Sequence, residues 1–238
     1  KPLYQITPLT DRLNYCSAPL NNLGWHMTVE KFVGIEVPKR AAYLRVIIME
    51  LARLSDHIVC NSIMGVDTGA FTGFLYMMKY RELIYEIYEE ICGSRLTTNI
   101  GRIGGFERDF SDAAWEKIHR FVREFPDVLK EFENLFLRNR IFMDRTQGVG
   151  GISAERALNY GFTGPNLRAA GVDYDLRVAK PYSRYEEFEF DIPVGTAGDT
   201  YDRFCVRQEE VRQSLRIINQ AYKNLPEGPY HADIPEFY

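Results

Sequence analysis

Two short motifs contain side chains that could take part in chemistry, and the first runs from Asp11 to Tyr15. Arg12 and Tyr15 are three residues apart, so in a helical turn both would face the same way. A cation beside a phenol could bind an electron-rich group. In a structural alternative, Asp11 caps a helix, Arg12 lies in solvent and Tyr15 lies at the edge of the core. The residues alone favour this alternative.

The second motif places Asp67 in a short polar turn over 65–69, directly before an expected helix. A carboxylate there is more often a helix cap than a functional group, because its oxygens accept the unpaired N–H groups of the first helical turn. The residues alone favour a cap, and a functional carboxylate is the alternative.

A glycine cluster later in the chain could indicate nucleotide binding. Gly148, Gly150 and Gly151 resemble part of a dinucleotide-binding fingerprint. However, Ser153 replaces the third glycine, and no clear strand leads into the cluster. We therefore expect no dinucleotide to bind this chain.

The residue types that bind metals are widely spaced. Histidines are at positions 26, 57, 119 and 231, and cysteines are at 16, 60, 92 and 205. This spacing predicts no zinc or iron–sulfur ligand set and no disulfide framework. His57 shares one helix face with Glu50 and Arg53, which favours a hydrogen-bonded structural group over a ligand or a base.

Composition narrows the class of protein. The 238 residues are 45 % hydrophobic and 26 % charged, with a net charge of −4. Disordered and fibrous classes are thereby excluded, and no general nucleic-acid-binding surface is expected. No apolar run approaches the length of a membrane span, and the cysteines indicate reduced thiols in the cytoplasm. Since the chain begins at Lys1 without a methionine, we expect it to be part of a longer protein.

Hydrophobic spacing predicts the elements that position these motifs. Helices are expected over 19–32, 41–63, 70–92 and 199–224, with a pair of helices between 111 and 138 that is interrupted at Pro126. Residues 1–10 are predicted to be extended, 95–108 to form a turn or short strand, and 188–192 to form a strand. The glycine-rich stretch 145–175 is expected to adopt irregular backbone around one short helix. The fold class is therefore mainly α: a long-helix bundle with a glycine-rich irregular layer and one or two short strands.

A series of sequence blocks, taken in order, resembles one family. They include Asp-Thr-Gly-Ala at 67–70, Arg-Ile-Gly-Gly at 102–105 and Gly-Phe-Thr-Gly-Pro-Asn-Leu-Arg at 161–168. The other blocks are at 11–15, 29–31, 34–40, 44–54, 171–177, 191–195, 198–203 and 212–218. Together they are similar to the D-type (49-kDa-type) subunit of NADH:quinone oxidoreductase, respiratory complex I, which is related to the large subunits of nickel–iron hydrogenases. Residues 1–238 resemble the central portion of that family, without its N-terminal β-rich part and its C-terminal part.

The resemblance implies a hydrogenase-large-subunit-like fold and a peripheral subunit on the cytoplasmic side of the bacterial inner membrane. It implies a chamber in which electrons pass from the terminal iron–sulfur cluster of a neighbouring subunit to quinone, coupled to proton translocation. The partners would be that iron–sulfur subunit, other peripheral-arm subunits and a membrane-arm subunit at the quinone channel. The chain would bind neither NADH nor flavin and would be inactive alone.

The resemblance also assigns roles to four residues. Tyr15 matches the tyrosine that hydrogen-bonds the quinone head group. Asp67 matches the carboxylate that pairs with a family histidine outside this chain, and Arg12 matches an arginine beside the terminal cluster. Thr97 stands where many members have a cluster-side histidine, and since threonine does not take up a proton, we expect a lower, pH-insensitive cluster potential.

Two other functions remain as alternatives. One is a non-catalytic scaffold subunit of a related hydrogenase-like or ferredoxin-linked membrane complex, in which Tyr15 would be dispensable. The other is a soluble interaction domain, which the ordered blocks disfavour. If the chain is a subunit, it should expose, when isolated, apolar surface that its partners normally cover. We therefore expect the isolated chain to self-associate.

Overall fold

The apolar residues that recur at helical spacing form long helices, and the chain is mainly α, as predicted. The computed structural model describes residues 2–234. Its helices are α1 (Thr7–Thr10), α2 (Ala18–Val33), α3 (Lys39–Asp67), α4 (Phe71–Cys92), α5 (Asp112–Phe136), α6 (Arg140–Thr146), α7 (Ala154–Asn159), α8 (Gly164–Ala169), α9 (Leu176–Ala179) and α10 (Thr200–Lys223). Short 3-10 turns cover Leu3–Ile6, Tyr15–Ser17 and Tyr185–Glu187.

One small sheet is present among these residues, within the stretch predicted to be a turn or short strand. Strands β1 (Gly101–Arg102) and β2 (Gly105–Phe106) pair antiparallel. Gly105 also bridges to His231, so the C-terminal segment packs along this hairpin. A side chain at Gly105 would have its Cβ 2.2 Å from the carbonyl oxygen of Tyr230, which explains the glycine.

The described residues form two units. The first contains 2–56, 81–123 and 217–234, and the second contains 57–80 and 124–216. Helices α3, α4, α5 and α10 contribute residues to both. In the first unit the core lies along α3, where Leu44, Ile47 and Leu51 are fully buried.

The core of the second unit is aromatic. The ring centroids of Phe132 and Phe136 are 4.6 Å apart, and those of Phe142 and Phe204 are 4.9 Å apart. Phe136 contacts both Phe142 and Phe204, so one cluster joins α5, α6 and α10. Tilted and edge-to-face contacts of this kind add to the free energy gained from burial alone.

Several predicted boundaries are confirmed because local signals set them. Helix α2 ends at Gly34, whose φ of 79° is left-handed. Ser153 caps α7 by accepting the Arg156 N–H, and Asp199 caps α10 by accepting the Asp202 N–H at 2.8 Å. In each case the stop or start is encoded within a few residues.

The predicted interruption at Pro126 is wrong, because α5 continues through it. Proline removes one backbone hydrogen bond, the one that Val122 would accept. Phe121, Phe125 and Leu129 occupy successive turns on either side and are each 1 % exposed. Burial of this apolar stripe outweighs the loss of one helical hydrogen bond.

The extended N-terminus is also a wrong prediction. The stretch 3–10 forms a 3-10 turn followed by α1. Thr7 Oγ1 lies 3.0 Å from His26 Nε2, and Thr10 Oγ1 donates to Asn22 Oδ1 at 2.7 Å. These buried contacts with α2 hold the segment in helical form.

The third wrong prediction is the strand at 188–192. Burial does alternate, since Phe188 is buried while Glu189 and Asp191 are exposed. The Asp191 N–H, however, donates to the Gln213 side chain at 3.0 Å rather than to a neighbouring strand. The alternation of apolar and polar residues therefore predicted which side chains face the core. It did not predict a strand, because an extended segment without a partner strand does not form a sheet.

All four cysteines are half-buried thiols. Among the helices of residues 2–234, none combines the length and apolarity needed to cross a bilayer.

Candidate functional site

Tyr15 is held at the surface of the first unit by its neighbour Asn14. The extended backbone of Asn14 (φ −145°, ψ 95°) starts the 3-10 turn that carries Tyr15. Asn14 Nδ2 donates to Ser17 Oγ at 2.8 Å and to Asp56 Oδ1 at 3.3 Å, while Asn21 Nδ2 donates to the Asn14 carbonyl at 3.1 Å. Tyr15 itself is 61 % exposed. A fixed backbone thus presents a phenol that points away from the core.

Arg12 and Tyr15 do not share a helical turn, so the predicted alignment is wrong. Arg12 lies in a turn that follows α1, and the extended Asn14 separates it from Tyr15. The Arg12 guanidinium is largely solvated and donates to the Pro8 carbonyl. Both residues are nevertheless exposed and only three positions apart, so they belong to one surface segment.

Asp11 is buried and does not act as the predicted N-terminal helix cap, because α1 precedes it. Its Oδ1 accepts a hydrogen bond from Asn22 Nδ2 at 2.7 Å, and the backbone N–H of Asn99 also donates to its carboxylate. Burial raises the pKa of Asp11 despite these hydrogen bonds and the nearby Arg12 charge. This carboxylate links the segment of Arg12 and Tyr15 to the loop that carries Thr97.

Thr97 lies in that loop, between α4 and β1, and is half-buried. Its neighbour Thr98 is 1 % exposed and lines a small cavity of about 140 Å³. Cys92, Arg102 and Arg108 also line it. The cavity belongs to the first unit, as do Arg12 and Tyr15.

Asp67 is the last residue of α3 and belongs to the second unit. It is exposed, and α4 begins only at Phe71, so the predicted role as a cap of the next helix is wrong. No hydrogen bond or ion pair joins its carboxylate to any other residue within 2–234. The carboxylate is therefore exposed and unpaired among the described residues.

Helix α3 reaches Asp67 because packing compensates for the glycine before it. A Cβ at Gly65 would lie 2.9 Å from the Phe136 ring, so only glycine allows the ring to pack there. The Thr68 hydroxyl donates back to the Met64 carbonyl at 3.0 Å, and Arg145 Nη1 donates to the Thr68 carbonyl at 2.6 Å. Together with the Thr68 N–H, which donates to the Met64 carbonyl at 3.1 Å, these contacts hold the connection that follows the helix end.

A buried chain of charges lies elsewhere in the second unit. Glu210 accepts hydrogen bonds from Arg168 (Nε, 2.8 Å) and lies 2.6 Å from His57 Nε2. Arg168 also lies 3.5 Å from Asp175, which pairs with Arg177 at 2.8 Å. Burial raises the pKa of Asp175, but hydrogen bonds and charge from Arg177, together with Arg168, hold it below its usual value. The prediction that His57 is a hydrogen-bonded structural group is confirmed.

A second buried pair supports the first unit. Arg45 Nη1 donates to Glu30 Oε2 at 2.8 Å, and the Gly104 N–H donates to Glu30 Oε1 at 2.6 Å. Nearby, burial lowers the pKa of His26 to about 3, helped by the charges of Arg45 and Arg102. His26 is therefore a neutral hydrogen-bonding group at physiological pH. Sequence spacing could not reveal either cluster, since the partners come from separate elements.

The side chains that could bind a metal ion remain dispersed in the fold. Within 2–234, no group of three or more histidine, cysteine, aspartate or glutamate side chains is placed to hold a metal ion. The four candidate residues lie in three places: Arg12 and Tyr15 in one exposed segment, Thr97 in the adjoining loop, and Asp67 at an exposed helix end.

Comparison with known proteins gives consistent matches. The model of the family described as "Respiratory-chain NADH dehydrogenase, 49 Kd subunit" matches residues 67–238. The chain is 70 % identical over 239 residues to the D-type subunit of NADH-quinone oxidoreductase of Flavobacterium johnsoniae, covering 100 % of this chain and 58 % of the relative.

Two further relatives extend the likeness. The chain is 70 % identical over 241 residues to the second D-type subunit of NADH-quinone oxidoreductase of Cytophaga hutchinsonii. The match covers 100 % of this chain and 61 % of the relative. Identity is 53 % over 234 residues to the D-type subunit of NADH-quinone oxidoreductase of Leptospira biflexa, covering 98 % and 58 %. The chain therefore spans about three-fifths of the length of these curated relatives.

Proposed function

The chain belongs to the family of the 49 kDa subunit of respiratory-chain NADH dehydrogenase, and from that premise we propose that it helps to form the chamber in which such an oxidoreductase reduces quinone. Two electrons and two protons convert a quinone to a quinol. The chain would supply hydrogen-bonding groups to the head group, while a neighbouring subunit supplies the electrons from its terminal iron–sulfur cluster.

Tyr15 is proposed as the donor to the quinone head group. A phenol with an ordinary pKa of about 10 is a neutral hydrogen-bond donor near pH 7, and it suits a carbonyl oxygen that gains negative charge during reduction. The exposed position of Tyr15 on a turn anchored by Asn14 supports this role, because the ring can reach a ligand without rearrangement of the backbone.

Asp67 is proposed to pair with the family histidine that lies outside this chain. A carboxylate beside an imidazole fixes its orientation and stabilises its protonated form, which can then give a proton to the reduced quinone. The exposed carboxylate at the end of α3 supports the proposal, since its oxygens have no hydrogen-bond or ion-pair partner within residues 2–234.

Arg12 and Thr97 are proposed to face the terminal cluster of the partner. A solvated guanidinium such as that of Arg12 would favour the reduced cluster electrostatically once the partner covers it. Thr97 cannot take up a proton when the cluster is reduced, so we propose a low, pH-insensitive cluster potential. Such a potential would suit a low-potential quinone such as a menaquinone.

The proposed assembly is a proton-translocating NADH:quinone oxidoreductase. This subunit would lie peripherally on the cytoplasmic side of the bacterial inner membrane, bind neither NADH nor flavin, and be inactive alone. Its partners would be the iron–sulfur subunit, other peripheral-arm subunits and the membrane-arm subunit at the quinone channel. The names of the curated relatives and the absence of a membrane-spanning helix among residues 2–234 are compatible with this arrangement.

The observation that carries the proposal is the exposed Tyr15 ring on its anchored turn, and Tyr15→Phe in the assembled complex tests it. The change removes only the hydroxyl, so we expect quinone reductase activity to fall at least tenfold, which corresponds to about 1.4 kcal/mol of transition-state stabilisation. NADH oxidation by an artificial acceptor should be unchanged.

Tyr4→Phe is the matched control, because Tyr4 is also an exposed tyrosine of the first unit. It should leave both activities unchanged. Equal loss of the two activities in Tyr15→Phe would contradict the proposed role. Full quinone reductase activity in Tyr15→Phe would instead favour the non-catalytic scaffold.

A further inference from the structure

The second unit has an open cleft of about 380 Å³ beside the glycine-rich segment. Its lining combines glycine backbone, apolar side chains and arginines: Gly150, Gly151, Ile152, Arg156, Phe162, Asn166 and Arg203. Arg207 adjoins the cleft, since its Nη2 donates to Asn166 Oδ1 at 3.0 Å. None of the roles proposed above involves these residues.

Three arginines meet at this cleft without acidic partners. Among residues 2–234, no carboxylate oxygen lies within 4.0 Å of the guanidinium nitrogens of Arg156, Arg203 or Arg207. Arg203 instead donates to the carbonyl oxygens of Gly198 (2.8 Å) and Gly150 (3.0 Å). Its guanidinium is thereby fixed in place while its charge remains uncompensated by an ion pair.

The nearest carboxylates are already occupied by backbone groups. Asp202 Oδ2 accepts the Thr196 N–H at 2.7 Å, and Asp199 Oδ2 accepts the Gly148 N–H at 2.8 Å. Asp199 Oδ1 accepts the Asp202 N–H as the cap of α10. These aspartates hold the loop in place and act on Arg203 electrostatically, but they form no ion pair with the three arginines.

Some other exposed arginines of the same unit do have acidic partners in the chain. Arg212 lies 2.9 Å from Glu209, and Arg216 lies 3.1 Å from Asp191. A chain whose net charge is −4 has ample carboxylates to pair its arginines. The cleft instead gathers three arginines that make no ion pair within residues 2–234.

Apolar and aromatic side chains surround the arginines. Ile152 and Phe162 line the cleft, Leu158 is 57 % exposed and Tyr160 is 69 % exposed. The Arg156 guanidinium lies over the Tyr160 ring at 6.0 Å. Exposed arginine, tyrosine and apolar side chains together are typical of protein–protein interfaces.

We propose that this arginine cleft is a docking surface for an acidic segment of a neighbouring protein subunit. The guanidinium fork binds a carboxylate in a planar, two-point contact, and the exposed apolar rim requires apolar side chains on the partner. A cleft of this size holds a few side chains rather than a folded element. Charge complementarity therefore predicts a segment with at least two aspartates or glutamates beside an apolar residue.

Site-specific photo-crosslinking in the assembled complex tests the identity of the partner. A photoreactive amino acid placed at Leu158 of the full-length subunit should crosslink to a peptide of a neighbouring subunit that contains at least two carboxylates. A crosslink to lipid or nucleic acid, a crosslink to a peptide without carboxylates, or no crosslink at all would overturn the proposal.

Charge reversal tests the role of the arginines. Arg156→Glu combined with Arg207→Glu should reduce retention of the crosslinked subunit at least tenfold, and lysines in place of the partner's acidic residues should restore it. Arg138→Glu is the matched control, because Arg138 is an exposed arginine of the same unit away from the cleft. Equal retention in the double variant and the control would overturn the proposal.

A milder variant covers the case in which the double variant fails to fold. Arg156→Gln removes one exposed charge that lies over the Tyr160 ring and forms no ion pair among residues 2–234, so the fold should survive. Retention of the partner should fall severalfold and become less sensitive to salt, since one ionic contact is lost. Unchanged retention and salt dependence in a folded Arg156→Gln complex would also overturn the proposal. Because retention is measured apart from quinone reduction, failure here is distinguishable from failure of the role of Tyr15.

Discussion

A single buried carboxylate organises the first candidate site. Asp11 accepts hydrogen bonds from Asn22 and from the backbone of Asn99, so it joins the segment of Arg12 and Tyr15 to the loop of Thr97. The motif from 11 to 15 therefore mixes two kinds of residue: buried Asp11 holds the segment, and exposed Arg12 and Tyr15 are presented by it. The motif therefore combines one residue that packs inside the unit with two that remain exposed.

The redox role proposed for Thr97 gives a direct prediction at this scale. In the assembled complex, the potential of the partner's terminal cluster should not change with pH, because Thr97 has no proton to exchange. Thr97→His should make the potential fall with rising pH by up to about 59 mV per unit, the limit for one proton coupled to one electron. A redox titration followed by the cluster's spectroscopic signal measures this. A pH-dependent potential in the unmodified complex would contradict the proposal, and Thr98→Ser, a conservative change at the neighbouring threonine, should leave the potential as it is.

The neutral His26 makes a prediction about stability. Its pKa is lowered to about 3 by burial and by the charges of Arg45 and Arg102, whereas an unfolded histidine titrates near 6.5. Between these values only the unfolded state binds the proton, so the free energy of unfolding should decrease as the pH falls from 6.5 toward 3. The decrease attributable to His26 is at most about 1.4 kcal/mol per pH unit.

His26→Gln should remove this contribution while retaining a partner for the Thr7 hydroxyl, whose oxygen lies 3.0 Å from His26 Nε2. Denaturant unfolding at several pH values measures the slope. His231→Gln is the comparison, since His231 lies near the surface and is only partly buried. The interpretation fails if His26→Gln and the unmodified chain lose stability in parallel over this range.

At the scale of elements, the helix end that carries Asp67 depends on two glycines. Gly65 in α3 and Gly73 in α4 both face Phe136, and a Cβ at Gly73 would lie 2.5 Å from the ring. Arg145 then closes the connection by donating to the Thr68 carbonyl. Packing of one phenylalanine thus determines how closely α3 and α4 approach each other beside Asp67.

Gly73→Ala should therefore reduce the free energy of unfolding by about 1–3 kcal/mol, the usual effect of inserting a methyl group into a packed core. Gly24→Ala in α2 is the matched control, because no atom lies within 4 Å of its added Cβ. It should stabilise the chain by about 0.5–1 kcal/mol through the higher helix propensity of alanine. Denaturant unfolding compares the two, and equal effects would show that the contact with Phe136 does not limit the packing.

At the scale of the whole molecule, several large apolar side chains are exposed to solvent. In the first unit, Phe32 is 89 % exposed and Leu13 is 76 % exposed. Leu9 and Tyr15 of the same unit are also more than half exposed. The assembly proposed above would cover such side chains.

The isolated chain should accordingly self-associate, with a weight-average mass that rises with concentration in analytical ultracentrifugation. Leu13→Ser with Phe32→Ser should shift the association to at least tenfold higher concentration, because about 1.5–3 kcal/mol is lost for each apolar side chain no longer buried in the contact. Leu135→Ser, at an exposed leucine of the second unit, provides the comparison. A monomer at all concentrations would refute the expectation.

Local sequence signals were sufficient to predict the mainly α class, the bounds of α2 and α10, and the family to which the chain belongs. The class and the helix bounds depend on signals a few residues apart, namely apolar spacing and glycine at helix ends. The family assignment depends on the order of short sequence motifs, which requires no knowledge of the fold.

The remaining features depend on contacts between distant parts of the chain. The tertiary structure carried α5 through Pro126, extended α3 to Asp67, left 188–192 without a partner strand and buried Asp11 beneath the exposed Arg12 and Tyr15. It also brought His57 and Arg168 to Glu210, 153 and 42 positions away along the chain. Such outcomes depend on contacts between distant segments, whose packing and charge compensation outweigh local preference, and no local pattern encodes which distant side chain will supply them.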